Sequence, residues 1–477
     1  MLLYNCITLM YDVQINFKST SDGWRGKLAQ NFTFKNAENI TKAISLYLTN
    51  VAKDKRIVIG YDTRFMSKEF ANFIGIVFQS FGIAVTIIEG PSTTPLLTFT
   101  THKYQFPLGI NITASHNPPF DDGIKIRMHY GGTPSDDVIN KIETYLGKTL
   151  KSSNKQYPIK FINSRKEYVR RIRKIIKFPK KSRSNVKILV DTMHGASYGL
   201  LRNIFATKNV FVDYLHEDFD PYFGGINPEP KFESTTELQK IIKNGRYNFG
   251  IAHDGDGDRI IGVLPNIGYL SPHDISALLV LYLAKYKHFK GNVLGSSTLG
   301  RRIKKVCESL GIVYEIMPVG FKNATLQMLS GNLLLAAEEN GGVGFGFYIP
   351  ERDATLAASI LIEAESIIGL STLYKELEKI AGNSGFCRYN YTPNINRKKL
   401  FSKIIKLFSE FNFYDIKSIS KLDGLKITYK NDDWLSIRYS GTEEILRIYC
   451  ESETRNKAVK IKDFALKKIQ EIERTIK

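Results

Sequence analysis

Residues 111–128 read Asn-Ile-Thr-Ala-Ser-His-Asn-Pro-Pro-Phe-Asp-Asp-Gly-Ile-Lys-Ile-Arg-Met, and the rest of the chain is organised around this stretch. The apolar run Leu108–Ile112 predicts a buried strand, and Ile124–Met128 predicts a second, short strand after it. The two consecutive prolines disfavour helix, so we expect the first strand to open into a stiff, exposed loop that carries Ser115. A serine on such a loop is either an ordinary turn residue or a nucleophile, and the rest of the chain must decide between the two.

The composition is that of a large globular protein. A length of 477 residues with 43% hydrophobic and 12% aromatic residues supports three or four packed domains and argues against disorder. The four cysteines are scattered, without metal spacing or a disulfide framework, which fits a reducing cytoplasm. The stretch Met1–Met10 has no positively charged segment and is too short to span a membrane. We therefore expect a cytoplasmic protein that does not associate with a membrane. Met1 and Met10 are alternative initiator methionines.

The net charge of +20 calls for an anionic partner or a solvated basic surface. Ten of the nineteen residues from Arg165 to Arg183 are basic, and they surround Ile172 and Ile175 at helical spacing. This pattern predicts an amphipathic helix with a solvated face. A nucleic-acid patch is the weaker interpretation, because the aromatic side chains that stack on bases are not interleaved with the basic residues.

One pattern occurs three times along the chain, at intervals of about a hundred residues. Strands alternate with helices, and an apolar strand then ends in a polar loop, which predicts mostly parallel sheets covered on both faces. After Leu108–Ile112, the strand Phe249–Ala252 leads into residues 253–259, and Leu333–Ala337 leads into residues 338–345. Ligands bind at the carboxyl ends of such strands, so we expect the three loops to form one site. The last block, from about Asn383, reads as α+β.

The second loop carries Asp254, Asp256 and Asp258, which alternate with glycines. Glycine lets the backbone fold so that all three carboxylates face one point. Three carboxylates this close repel one another unless a cation is bound, and hard oxygen ligands favour Mg²⁺ or Ca²⁺ over zinc. The loop therefore predicts a divalent metal site, most readily for Mg²⁺.

Two further loops supply groups for a phosphorylated sugar. Residues 338–344 place two carboxylates and one amide among glycines, which suits sugar hydroxyls, although a plain glycine-rich turn explains the stretch equally well. Residues 438–442, Arg-Tyr-Ser-Gly-Thr, combine a guanidinium with hydroxyls and backbone N–H groups that suit a phosphate, or form a simple turn. Together, the four loops predict phosphoryl transfer to and from a polyol.

The four loops resemble the signature loops of the α-D-phosphohexomutase family, in the same order and spacing and over nearly the whole chain. They read Thr-Ala-Ser-His-Asn-Pro at 113–118, Asp-Gly-Asp-Gly-Asp-Arg at 254–259, Glu-Glu-Asn-Gly-Gly at 338–342 and Arg-Tyr-Ser-Gly-Thr-Glu at 438–443. The resemblance implies three related mixed α/β domains and a smaller α+β fourth domain, similar to the TATA-box-binding protein, around a central cleft. The implied domains are 10–162 with the phosphoserine loop, 163–266 with the metal loop, 267–382 with the sugar loop and 383–477 with the phosphate loop.

The resemblance also implies an activity. A Mg²⁺-dependent mutase would interconvert the 1-phosphate and 6-phosphate of glucose or mannose through a phosphorylated Ser115 and a hexose 1,6-bisphosphate. A phosphoglucosamine mutase is the alternative. The partner would be a small sugar phosphate rather than nucleic acid, and the protein would be a monomer or homodimer.

The resemblance assigns roles to individual residues. Mg²⁺ would be bound by the Ser115 phosphoryl group and the three aspartates. Lys125 would move the proton of the sugar hydroxyl, with His116 as the alternative, and Arg25 would lie beside the phosphoserine. The substrate would be bound by ten residues, namely Arg259, Gly320, Phe321, Glu338, Asn340, Arg352, Arg438, Ser440, Gly441 and Thr442.

Three departures from the family pattern bear on the sugar. Asn340 stands where relatives have a serine, Tyr348 and Ala354 stand where relatives commonly have His and Gly, and the loop at 17–26 is slightly longer than usual. A rival interpretation is a non-catalytic protein that kept the fold and binds sugar phosphate or nucleic acid. Retention of Ser115 and the three aspartates argues against it, because binding alone needs neither a nucleophile nor a metal.

Overall fold

The computed structural model describes residues 19, 22–52, 54–155, 157–176, 185–206, 209–410, 413–440 and 444–476. Several expectations lie outside these residues. They concern the alternative starts Met1 and Met10, most of the loop before Asp22, the end of the basic run beyond residue 176, and the site residues Gly441 and Thr442. Within the described residues, four sheets follow one another along the chain.

The first sheet is mixed and has helices on both sides. Its strands are β1 Gly23–Lys27, β2 Arg56–Tyr61, β3 Ala84–Ile88, β4 Leu108–Ile112, β5 Asp121–Met128 and β6 Lys160–Ile162, and its helices are α1 Phe34–Val51, α2 Ser67–Ser80, α3 Thr94–Lys103 and α4 Asp136–Glu143. The strand order is β1-β5-β4-β2-β3-β6. The strands β4, β2, β3 and β6 are parallel, whereas β5 and β1 are antiparallel to their neighbours.

The second and third sheets repeat this plan. The second has strands β7 Val186–Asp191, β8 Val210–Leu215, β9 Phe249–His253, β10 Ile260–Leu264 and β11 Gly268–Leu270, in the order β11-β10-β9-β7-β8, with helices α5 Arg165–Ile175, α6 Leu200–Phe205 and α7 Thr236–Lys243. The third has strands β12 Asn292–Ser296, β13 Tyr314–Met317, β14 Leu333–Ala337 and β15 Val343–Phe345, in the order β13-β12-β14-β15, with helices α8 Pro272–Leu281, α9 Arg301–Ser309, α10 Lys322–Leu329, α11 Ala354–Ile367 and α12 Leu370–Ala381. These two domains share one hydrophobic core, while the first and last each have their own.

The last domain differs in topology. Its strands β16 Gly385–Tyr391, β17 Ile416–Ser420, β18 Leu425–Tyr429, β19 Trp434–Tyr439 and β20 Leu446–Ser452 are antiparallel throughout, in the order β16-β20-β19-β18-β17. Helices α13 Arg397–Glu410 and α14 Arg455–Ile476 supply apolar side chains to its core. The predicted fold class, three mixed α/β domains and a smaller α+β domain, is therefore confirmed.

One topological feature positions the predicted site. In each of the first three domains the polar loop joins a parallel strand to an antiparallel return strand, as β4 to β5, β9 to β10 and β14 to β15. The strand β5 begins three residues before the predicted Ile124, because Asp121–Gly123 pair with β1, which lies in a stretch predicted as a loop. No single helix among the described residues is long and apolar enough to cross a membrane; α11 and α12 pass that test only as a pair, and they meet at 98°.

Candidate active site

Ser115 lies on the loop between β4 and β5 and is buried, with 1% of its surface exposed. Pro118 and Phe120 on the same loop are exposed, but the prediction of an exposed loop is wrong for Ser115. The reason is a contact with the second domain, since a Cβ atom on Gly255 would lie 2.7 Å from the Ser115 carbonyl oxygen. Ser115 has a left-handed backbone conformation with φ of 57°, and its N–H donates to Thr113 Oγ1 at 2.8 Å. The loop is thus fixed in a conformation that non-glycine residues seldom adopt.

A buried arginine from another strand end holds this loop. The Arg64 guanidinium donates to four backbone carbonyl oxygens of the loop, at distances of 2.5 to 2.9 Å, namely those of Ser115, Asn117, Pro118 and Asp121. Its Nε donates to Asp62 Oδ2 at 3.1 Å, and both side chains are buried. Because a guanidinium has five donors in a rigid fork, one side chain fixes the whole turn.

The three aspartates of the second domain gather next to Ser115. Ser115 Oγ donates to Asp254 Oδ2 at 3.0 Å. Lys125 Nζ, on β5, lies 2.6 Å from Asp256 Oδ2 and 3.3 Å from Asp258 Oδ2. One ligand oxygen from each aspartate lies within 4.8 Å of the others. All five side chains are buried, so the first two domains contribute to a single cluster.

The charges of this cluster are unequal. Burial, and then repulsion from Asp258 and Asp256, raises the pKa of Asp254 well above its usual range. Burial also acts on Asp256, but the Lys125 ammonium, together with hydrogen bonds from Thr94 and Ser115, outweighs it and holds the pKa of Asp256 well below its usual range. For Asp258, burial is outweighed by the Arg352 guanidinium at 2.8 Å together with Lys125 and Arg259, which lower the pKa. The charged carboxylate is therefore disfavoured at Asp254 and favoured at Asp256 and Asp258.

The donor set fits Mg²⁺. Asp256 Oδ1 and Asp258 Oδ1 are buried and have no hydrogen-bond partner among the described residues. A buried carboxylate oxygen without a partner costs free energy unless a cation binds it. The available ligands are all hard oxygen atoms, which Mg²⁺ prefers.

The loop of the third domain contacts the same cluster. Arg352 NH1 donates to Glu338 Oε2 at 3.3 Å, so Arg352 bridges Glu338 and Asp258. The N–H of Gly320 donates to Glu338 Oε1 at 3.0 Å, and the Phe321 ring lies under the Arg352 guanidinium at 5.5 Å. These contacts place four predicted substrate-binding residues together.

Asn340 lies in the same loop and is half-buried. Its Oδ1 accepts the N–H of Gly342 at 3.0 Å, which closes a local turn. The residue that departs from the family pattern thus uses its oxygen to shape the loop.

Three predicted residues lie around the rim of the Ser115 loop. Arg25, on β1, donates to Asn117 Oδ1 at 3.3 Å. Arg259 NH1 lies 3.4 Å from Glu229 Oε1, and its Nε lies 3.8 Å from Asp254 Oδ2. His116 is half-buried, and burial together with the nearby Arg259 and Arg25 lowers its pKa well below the usual value. His116 is therefore neutral at pH 7.

The predicted phosphate loop lies in the last domain. Arg438 NH2 donates to Asp423 Oδ1 at 3.1 Å, and Asp423 Oδ2 accepts from Ser297 Oγ and from the N–H of Val319, each at 3.0 Å. Asp423 therefore ties Arg438 to the third domain beside Gly320. The hydroxyl-bearing Ser440 is buried.

Two residues of the cluster were missed in the sequence. Thr94, at the start of α3, donates its hydroxyl to Asp256 Oδ2 at 2.5 Å, and Arg64 holds the Ser115 loop. The signal for Arg64 was present, since Asp62-Thr63-Arg64 directly follows the apolar strand β2. Thr94 lies in a threonine-rich stretch that gives no comparable signal.

A buried serine, three carboxylates and several buried cations at the junction of three α/β domains define a phosphoryl-transfer enzyme. The comparisons with known proteins agree. Models of the phosphoglucomutase/phosphomannomutase family match the chain in four parts, as alpha/beta/alpha domain I over residues 17–152, domain II over 166–267, domain III over 271–380 and the C-terminal domain over 373–468. The chain belongs to this family, that of the α-D-phosphohexomutases, and it is an intramolecular phosphotransferase.

Individual relatives cover almost the whole chain. The probable phosphoglucosamine mutase of Methanobrevibacter smithii is 29% identical over 462 residues, which cover 94% of this chain and 98% of the relative. The phosphoglucosamine/phosphogalactosamine mutase of Sulfurisphaera tokodaii is 27% identical, with the same coverage. The crystal structure of a phosphoglucomutase/phosphomannomutase family protein from Burkholderia thailandensis superposes with a TM-score of 0.81 at 20% identity, over 96% of this chain and 98% of that one. This last likeness supports the fold.

Proposed function

We propose that this chain is a Mg²⁺-dependent hexose-phosphate mutase that interconverts hexose 1-phosphate and hexose 6-phosphate through a phosphorylated Ser115. One observation carries the proposal, the 3.0 Å hydrogen bond from Ser115 Oγ to Asp254 inside the buried cluster of three aspartates. A turn serine needs no buried charges around it, and charges are costly to bury. Their presence supports a site that handles a charged group at Ser115.

The chain's own residues would divide the work as follows. Phosphorylated Ser115 would give its phosphoryl group to O6 of a hexose 1-phosphate, the resulting 1,6-bisphosphate would turn over in the cleft, and its 1-phosphoryl group would return to Ser115, which leaves hexose 6-phosphate. The three aspartates and the Ser115 phosphoryl oxygen would hold Mg²⁺, which when bound neutralises charge on the transferred group. Arg25 and Arg259 would bind phosphate near Ser115.

The sugar would lie between the third and fourth domains. Glu338 and Asn340 would face its hydroxyls, with Gly320, Phe321 and Arg352 behind them. The distal phosphate would be bound by the loop that contains Arg438, Ser440, Gly441 and Thr442. Asp423 supports this arrangement, because it holds Arg438 against the turn that carries Gly320.

A proton must move whenever the phosphoryl group does. We propose that Lys125 donates a proton to Ser115 Oγ as the phosphoryl group leaves and takes one from the sugar hydroxyl, with His116 as the alternative. We expect Lys125→Met to lower kcat by about 10²- to 10⁴-fold, the usual contribution of a proton-transfer group, and His116→Gln to lower it by less than about tenfold. Steady-state rates with thermal melts as a folding control test this, and the opposite ranking would assign the role to His116.

The choice of sugar rests on the charge of the third-domain loop. The carboxylate of Glu338 is already paired with Arg352, and burial raises its pKa. An ammonium group at C2 of the sugar would therefore add little favourable interaction with Glu338. This supports glucose or mannose phosphates as the substrates. The amino sugar is the second candidate, because the two relatives above are named a probable phosphoglucosamine mutase and a phosphoglucosamine/phosphogalactosamine mutase.

A direct comparison of substrates separates these possibilities. We expect kcat/KM for glucose 1-phosphate or mannose 1-phosphate to exceed that for glucosamine 1-phosphate by at least about tenfold. Turnover of the amino sugar alone would instead make the chain a phosphoglucosamine mutase. If no sugar phosphate turned over and DNA bound in a salt-dependent manner, the non-catalytic interpretation would replace both.

A further inference from the structure

We infer that a second cavity, separate from the active site, binds a small anion of the nucleotide class, in which a sugar joins a planar base to phosphate. The cavity has a volume of about 390 Å³ and lies where α3 of the first domain, α5 of the second and the loop 347–349 of the third meet. Its volume falls in the range of ligand pockets, about 300–1,000 Å³. No residue of the Ser115 cluster lines it.

The cavity carries an excess of positive charge, which favours an anionic ligand. Lys103, Arg170, Arg171 and Lys174 line it, against the single carboxylate of Glu167. That carboxylate already accepts the Tyr104 hydroxyl and lies 3.4 Å from Lys103 Nζ. Among the residues that the structure describes, no carboxylate lies within ion-pair distance of the other three cations. Two guanidiniums and an ammonium are therefore available for phosphate oxygens.

The aromatic side chains in the wall of the cavity favour a ligand with a planar ring. Phe99, Phe347 and Tyr348 line it, and the Arg171 guanidinium lies 5.8 Å from the centre of the Tyr348 ring. In the sequence these aromatic residues are far from the basic helix, and the packing of the three domains brings them to it. Aromatic faces and guanidinium planes are the usual platforms for bases. A cavity of this volume bounded by three domains suits one nucleotide better than an extended strand.

Isothermal titration of the full-length protein with ADP and with UMP tests the inference. We expect one site per chain, whose affinity falls by at least about tenfold in Arg170→Ala/Arg171→Ala/Lys174→Ala, because three phosphate contacts are lost. The charge-matched control Lys160→Ala/Lys166→Ala/Lys187→Ala changes exposed lysines outside the cavity and should bind within about twofold of the original affinity.

A second pair of variants tests whether the Tyr348 ring contacts the base of the nucleotide. Tyr348→Leu should weaken ADP several-fold but leave inorganic pyrophosphate unchanged, whereas Tyr348→Phe should keep ADP binding, and thermal melts check the fold of each. Four results would overturn the inference. They are no binding of either nucleotide at millimolar concentration, full affinity in the triple variant, displacement of ADP by glucose 1,6-bisphosphate, and tighter binding of single-stranded RNA than of ADP at equal nucleotide concentration.

Discussion

Replacement of Ser115 by alanine is expected to lower kcat for every hexose phosphate by about 10³-fold or more, because the group that carries the phosphoryl is lost. The four carbonyl oxygens that Arg64 binds belong to the backbone, so the loop keeps its anchor in the variant. Asp254 loses one hydrogen-bond donor but keeps the N–H groups of Asp258 and Arg259. We therefore expect a melting temperature close to that of the unmodified protein.

The control for this experiment is another buried serine. Ser359 lies in α11, and its hydroxyl donates to the carbonyl of Thr355. Ser359→Ala should keep nearly full activity in the same coupled assay. Full activity in Ser115→Ala would refute the role of Ser115 whatever the behaviour of the control.

Removal of the metal is expected to have the second-largest effect. A chelator should lower the rate by about 10²-fold or more, and added Mg²⁺ should restore it, because charge on the transferred group would otherwise go unneutralised. Asp256→Asn should raise the Mg²⁺ concentration needed for half-maximal rate and lower the maximal rate by about 10²-fold. Asp256 contributes a buried oxygen with no other partner among the described residues, which is why we select it.

Metal titrations of the rate give the measurement. Asp137→Asn removes an exposed carboxylate outside the site and should leave the titration curve unchanged. Equal rates in Mg²⁺ and in excess chelator would show that the aspartate cluster serves another purpose, such as holding Lys125 and Arg352.

Much of the fold could be predicted where a strand is a continuous apolar run between turn residues. Leu108–Ile112 and Leu333–Ala337 have the bounds that the sequence predicts. The helices α3 and α11 were missed because they are buried on nearly every side and so lack an amphipathic period. The helix α12 was also missed, although it has such a period and could have been predicted from the sequence.

The candidate site likewise has features that the sequence predicts and features that depend on the packing of separate domains. Residue types and spacing within one loop indicated Ser115 and the three aspartates, because their chemistry is local to each loop. The burial of Ser115 could not be predicted, since it depends on Gly255 from another domain. Nor could the sequence show that Phe99 and Tyr348 flank the basic helix α5, because only the packing of three domains brings them there.

The central claim is that Ser115 carries the phosphoryl group. The most direct test is mass spectrometry of the intact protein and of its peptides after incubation with glucose 1,6-bisphosphate and Mg²⁺, followed by addition of glucose 1-phosphate. We predict that the protein gains one phosphoryl group, that it maps to Ser115, and that it leaves when the monophosphate is added. A phosphoryl group on any other residue, or turnover with Ser115 never modified, would contradict the account.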